Sequence, residues 1–269
     1  MPSPSADVLR RNAVRVTGNT AGQAIVFAHG FGGSGDAWRF VAPEFERDYR
    51  VIVFDHVGAG GSDLSLYDGA KYDSLHGYAD DLLEIIEALG LTDVIFVGHS
   101  VSGMVGVLAA NARPDLFARL ILVGPSPRYL NDEGYVGGFS REEVDELLDS
   151  LDSNYLGWST VMAPTLMGNA DRPELGDALA QTIQAIDPAI AAQFARVTFL
   201  SDNRRDLADV TVPTLVLQSS EDMIAALPIG RFVHSQIPGS TFVVMSSRGH
   251  VPILSDPAEV TRHIKAYLE

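Results

Sequence analysis

Short apolar runs recur along this chain at 24–28, 51–54, 94–97, 120–124, 214–217 and 241–245. Each is rich in Val, Ile, Leu or Phe and apolar at consecutive rather than alternate positions, the pattern of β-strands covered on both faces. Between the runs the apolar spacing becomes helical. Trp38, Val41, Ala42 and Phe45 predict a helix over 36–46, and Tyr78, Leu82, Ile85, Ile86 and Leu89 predict another over 75–89, which Gly90 is placed to end. A helix rich in apolar residues is expected over 104–110 and a closing one over 257–268. Segment 12–19 alternates and suits an edge strand. Buried strands alternating with helices predict an α/β fold, a mostly parallel sheet with helices on both faces.

The rhythm breaks once. Between 126 and 203 no run resembles a buried strand, and helical patterns at 141–149 and 188–199 are joined by loops around Gly157 and Gly168. An all-helical insertion in such a series predicts a cap (residues 126–203) over the C-terminal edge of the sheet, with residues 1–125 and 204–269 forming the core.

Composition narrows function more than fold. At 269 residues and 46% hydrophobic, the chain can bury a large core. Nineteen Lys and Arg against 35 Asp and Glu leave a net charge of −16, which repels nucleic acid and anionic membrane surfaces. The absence of cysteine excludes disulfides, thiolate metal sites and a cysteine nucleophile. The opening Met1-Pro-Ser-Pro-Ser-Ala-Asp7 lacks the basic-then-apolar order of a leader, and no apolar run reaches the ~18 residues of a membrane helix. A cytoplasmic protein is the expectation.

The densest chemistry lies where the run 94–97 ends in Gly98-His99-Ser100-Val101-Ser102-Gly103. A buried strand, a sharp turn and a helix, with glycines at 98 and 103 around a serine, resemble the G-x-S-x-G nucleophile elbow, which lifts a serine hydroxyl out of the sheet at a helix start. A serine hydroxyl needs a base within hydrogen-bond reach and a carboxylate behind the base to hold its tautomer. His250, directly after the last predicted strand, is the histidine placed to face the elbow. Glu221 and Asp222, after the preceding strand, are both candidates for the acid. Backbone donors for a developing oxyanion are expected from the amides of Val101 and of Phe31 in the loop His29-Gly30-Phe31-Gly32. His29, His56 and His99 are the competing histidines; His99 is expected to brace the elbow, because adjacent strand residues point to opposite faces. The glycines at 30, 32, 33 and 35 fit no dinucleotide or Walker pattern, and nothing resembles a clustered ligand set, so neither a metal nor a cofactor is expected.

Four stretches carry a family resemblance: Phe54-Asp-His-Val-Gly-Ala-Gly-Gly-Ser-Asp63, the elbow 98–103, Val123-Gly-Pro-Ser-Pro-Arg-Tyr-Leu-Asn-Asp132 and Asn154-Tyr-Leu-Gly-Trp158. With them the chain is similar to the α/β-hydrolase superfamily over nearly its whole length. Within it the chain resembles the RsbQ-like hydrolases, which comprise bacterial stress-signalling proteins and the plant karrikin and strigolactone receptor hydrolases. The resemblance implies Asp222 rather than Glu221 as the acid, and a four-helix V-shaped cap over a hydrophobic pocket. It also implies slow hydrolysis of small apolar esters or butenolide lactones, and a signalling role through a protein partner. Two positions depart from the family pattern: Ala225-Ala226 stand where a proline often follows the acid, and His29 stands where the bacterial regulator resembles Pro.

The expected mechanism is acyl transfer by Ser100, His250 and Asp222, with Phe31, Phe139, Trp158, Met162 and Phe199 lining the pocket beside Val101. A ligand-sensing module that keeps the triad for slow or single turnover is the alternative. Serine rather than aspartate at position 100 argues against a haloalkane dehalogenase.

Overall fold

A computed structural model describes residues 4–269; residues 1–3, on which part of the leader reading rests, lie outside the described residues. The consecutive apolar runs form strands buried on both faces, as in Ala24–Ala28 and Val94–His99, because side chains leave a strand alternately and both sides meet a core. The run 241–245 departs from this, since its strand, Thr241–Arg248, lies at the sheet edge with Thr241 and Val244 exposed. Ile25, Phe27, Ile95 and Val97 enter one apolar layer, while Val26, Ala28 and Phe96 enter the other.

In chain order the elements begin with α1 (Pro4–Arg11), β1 (Arg15–Gly18), β2 (Ala24–Ala28), β3 (Arg50–Val53), α2 (Leu75–Ala88), β4 (Val94–His99), α3 (Val101–Ala112) and β5 (Phe117–Val123). Four helices follow without a strand: α4 (Arg141–Ser153), α5 (Tyr155–Met167), α6 (Pro173–Gln184) and α7 (Pro188–Leu200). The alternation resumes with β6 (Thr214–Glu221), α8 (Leu227–Gln236), β7 (Thr241–Arg248), the short α9 (Pro252–Ser255) and α10 (Pro257–Leu268). The seven strands lie in the order β1-β3-β2-β4-β5-β6-β7. Only β1 is antiparallel to its neighbour, so the C-terminal ends of the other six share one edge. The loops after β2, β4, β5, β6 and β7 therefore gather there, where parallel sheets place their sites.

Two expected elements are corrected. Gly157, expected in a loop, lies in the first turn of α5. Residues 36–46 form two 3-10 turns, Gly35–Trp38 and Ala42–Phe45, and not one helix. Trp38, Val41, Ala42 and Phe45 are buried all the same. Pro43 falls inside the segment and removes an amide that a continuous helix needs, while two short turns present the same apolar side chains inward.

Within the insertion, side-chain caps set three of the four helix starts. Ser140 and Glu143 form a reciprocal capping box on α4, the Asn154 side chain accepts from the Gly157 amide at 3.1 Å, and the Asp187 carboxylate accepts from the amides of Ala189 and Ile190. Among the described residues no helix is long and apolar enough to cross a membrane.

Candidate active site

The end of β4 runs straight into α3 through Ser100, which adopts φ +56° and ψ −126°, a backbone position that L-residues avoid. Close packing leaves no room for side chains beside it. A Cβ on Gly98 would lie 2.5 Å from the Ser102 carbonyl oxygen, and one on Gly30 would lie 3.0 Å from the Ser100 Cβ. The turn is held by the Ser100 amide donating to the Val123 carbonyl and the Gly103 amide donating to the Ser100 carbonyl, both at 2.8 Å. The second glycine of a G-x-S-x-G motif is here Ser102, whose hydroxyl donates to the His29 carbonyl at 2.5 Å.

Three loops bring three side chains together. Ser100 Oγ lies 2.7 Å from His250 Nε2, and His250 Nδ1 lies 2.8 Å from Asp222 Oδ2. All three residues are buried. The Asp222 carboxylate also accepts from the amides of Ile224 (2.8 Å) and Ala225 (3.0 Å). Burial alone raises the Asp222 carboxyl, but the neighbouring His250 and these amides outweigh it and hold the group below its ordinary value. A carboxylate here accepts the Nδ1 proton and leaves Nε2 free to accept from the serine hydroxyl. Glu221, one residue earlier, is exposed.

The other histidines lie close by with different partners. His99 Nε2 donates to the His250 carbonyl at 2.7 Å, and burial together with nearby His250 pulls its pKa down to about 3. The His56 amide donates to His29 Nε2 at 3.1 Å, which leaves His29 Nδ1 to donate to the Gly30 carbonyl at 2.8 Å. His56 Nε2 in turn donates to Ser102 Oγ at 2.6 Å. Burial lowers both His29 and His56, so they stand neutral.

Above Ser100 lies a narrow cavity of about 60 Å³, reached by Leu166 of α5, Leu179 and Thr182 of α6, and Phe199 of α7. Phe31 and Phe199 line it, and their rings lie 6.3 Å apart. Phe139, Trp158 and Met162 do not; they line a separate open groove between α4 and α5. Helical periodicity marks an apolar stripe but not which of two neighbouring hollows it faces, and Trp158 meets the cavity only through ring contact with Phe31 at 6.1 Å. Val101 lies directly after Ser100 and its amide opens α3; Phe31 follows Gly30 in the loop pressed against Ser100. Tyr129, absent from the expected site, is buried with its hydroxyl 3.4 Å from Ser100 Oγ. It lies between β5 and α4, where no spacing rule pointed to it. Among the described residues no group of three or more His, Cys, Asp and Glu side chains is placed to hold a metal ion.

Relatives share this architecture at full length. A probable esterase of Oryza sativa subsp. japonica is 40% identical, over 94% of this chain and 95% of the rice protein. The strigolactone esterase D14 of Arabidopsis thaliana is 38% identical, over 97% of this chain and 98% of its own. Among solved structures, a hydrolase from Oleispira antarctica superposes with a TM-score of 0.95 at 36% identity, covering 99% of this chain and 98% of the other. The model of the alpha/beta hydrolase family matches residues 25–263, which include Ser100, Asp222 and His250. The chain therefore belongs to the alpha/beta hydrolase family.

Proposed function

We propose that this protein is a serine hydrolase that cleaves a small apolar ester or lactone by acyl transfer. The observation that carries the reading is the continuous chain of hydrogen bonds from Asp222 through His250 to Ser100, at the floor of a narrow, mainly apolar cavity. Ser100 Oγ attacks the substrate carbonyl while His250 Nε2 takes its proton. The tetrahedral oxyanion is met by the amides of Phe31 and Val101. His250 returns the proton to the departing alkoxide, and a water then hydrolyses the acyl-serine with His250 again as base. No step needs a metal or an organic cofactor. The small cavity suits a compact acyl group, and the four inserted helices act as a cap that excludes water.

Turnover of 4-nitrophenyl acetate tests the reading. Ser100→Ala should lower kcat/KM by at least about 10³-fold while thermal stability holds, and a fluorophosphonate should label Ser100 alone. Undiminished turnover by Ser100→Ala would overturn it.

A second reading is favoured by one specific observation: the karrikin insensitive 2 receptor CA of Petunia hybrida is 39% identical over 90% of this chain. On this reading the same triad captures a butenolide slowly and a protein partner recognises the occupied cap. A butenolide that raises the melting temperature while turning over once, with a partner co-purifying, supports it. Rapid multiple turnover of simple esters without a partner supports the enzyme.

A further inference from the structure

The C-terminal end of α5 meets the loop that carries His250, and most of that contact is main chain. The His250 amide donates to the Leu166 carbonyl at 2.7 Å. A Cβ on Gly249 would lie 1.8 Å from the Met167 carbonyl oxygen, and one on Gly168 would lie 2.8 Å from the Gly249 Cα. The two backbones therefore touch at positions where neither residue can carry a side chain.

The loop needs such an anchor. Gly249 immediately precedes His250 and sits at φ +85°, a region open to glycine and avoided by other residues. The peptide unit between Arg248 and Gly249 is held at both ends: its N–H donates to the Glu221 carbonyl at 2.7 Å, and its carbonyl accepts from Asn169 Nδ2 at 3.2 Å. Asn169 Nδ2 also donates to the Met167 carbonyl, and its Oδ1 accepts from Arg172 Nη2 at 2.7 Å. Arg172 Nη1 donates in turn to the Ser255 carbonyl, just beyond the base, at 2.9 Å. Asn169 is buried, with both polar atoms of its amide in use.

We propose that Asn169, oriented by Arg172, is a positioning residue for the general base: it clips residues 248–250 to the end of α5 and so sets His250 against Ser100. This rests on the reading of Ser100, His250 and Asp222 as a triad. Asn169 touches no reacting atom and acts only through the place of the imidazole. Misplacement of a catalytic group by about 1 Å costs on the order of 100-fold in rate, so loss of the clip appears in the chemical step rather than in substrate affinity.

The experiment uses the full chain with 4-nitrophenyl acetate and a fluorophosphonate. Ser100→Ala and His250→Ala are measured first; if either keeps full turnover, the triad reading fails and the clip fails with it. With those two inactive, Asn169→Ala should lower kcat and the phosphonate inactivation rate by about 10- to 100-fold with KM within twofold. Added to His250→Ala, the same change should lower the residual phosphonate rate no further, because groups that act as a unit are not additive. An unchanged kcat, or an equal loss in both backgrounds, overturns the proposal while leaving the triad reading intact. Should Asn169→Ala fail to fold, Arg172→Met keeps Asn169 and removes its orienting partner together with the bond to the Ser255 carbonyl. It should lower kcat severalfold at constant KM, and an unchanged kcat overturns the proposal.

Discussion

At the scale of residues, four histidines stand around the elbow, and their hydrogen bonds separate their tasks. His250 alone of the four has one ring nitrogen on a carboxylate and the other on Ser100. His99, the nearest in sequence to Ser100, donates to the His250 carbonyl, and His29 and His56 tie the loop after β2 to Ser102. Asp222 faces a parallel test. Asp222→Asn keeps shape but presents the wrong donor and acceptor pattern to His250 Nδ1, so kcat/KM for a simple ester should fall about 10²- to 10⁴-fold. A loss below tenfold, measured by steady-state kinetics, would show that the tautomer is held some other way. The candidate nucleophile and base were legible because each sits directly after an apolar run. Choosing between Glu221 and Asp222 was not a matter of spacing: consecutive residues at a strand end point to opposite sides, and only the turn after β6 decides which carboxylate turns inward.

Among the elements, the joins matter as much as the helices and strands. The helix α1 docks on α2 through the buried Asp81 carboxylate, which pairs with Arg11 at 2.8 Å and Lys71 at 2.7 Å and accepts from the Tyr72 hydroxyl at 2.8 Å. Asp81→Ala would leave Arg11 and Lys71 with only the part-exposed Glu84 carboxylate, at 2.6 Å and 3.1 Å, as counter-charge. Breaking a buried pair on one side costs about 3–5 kcal/mol, and the partial exposure of Arg11 and Lys71, together with the Glu84 carboxylate that both keep, reduces that to about 1–2 kcal/mol here. Chemical denaturation should show that loss, with ester turnover per folded molecule unchanged; a shift under about 0.5 kcal/mol by the same measurement would place the docking elsewhere. Strand identities and the helical insertion were readable from period alone, as with 94–97 and 188–199. The segment 36–46 departs from its expected helix because spacings of three and four residues fit both an α-helix and successive 3-10 turns, and Pro43 withholds the amide that would join them.

For the whole molecule, a set of buried neutral histidines makes stability depend on pH in a definite direction. His29, His56 and His99 are all lowered by burial from an ordinary value of 6.5, so below that pH the unfolded chain takes up protons that the folded protein refuses. The stability each contributes is fully present above 6.5 and declines as pH falls toward the folded value, by about 1.4 kcal/mol per pH unit for each group. Asp222 and Glu259, whose folded values are also depressed, add a further loss once the pH enters the carboxylate range. The melting temperature should therefore fall between about pH 7.5 and pH 5 and fall more steeply below that. A melting temperature that is flat over the first interval would mean that all three imidazoles take up protons in the folded state.

The order of hydrophobic runs determined the layered sheet, the position of the helical insertion and the loops from which the candidate nucleophile and base come, because burial on two faces and helical periodicity are written into residue spacing. Tertiary structure alone decided which carboxylate faces His250, which hollow each aromatic of the insertion enters, that Tyr129 reaches Ser100 and that Asn169 reaches the loop before His250. Those outcomes depend on the direction in which a side chain leaves a turn and on which distant backbone it then meets, and neither is a property of local sequence.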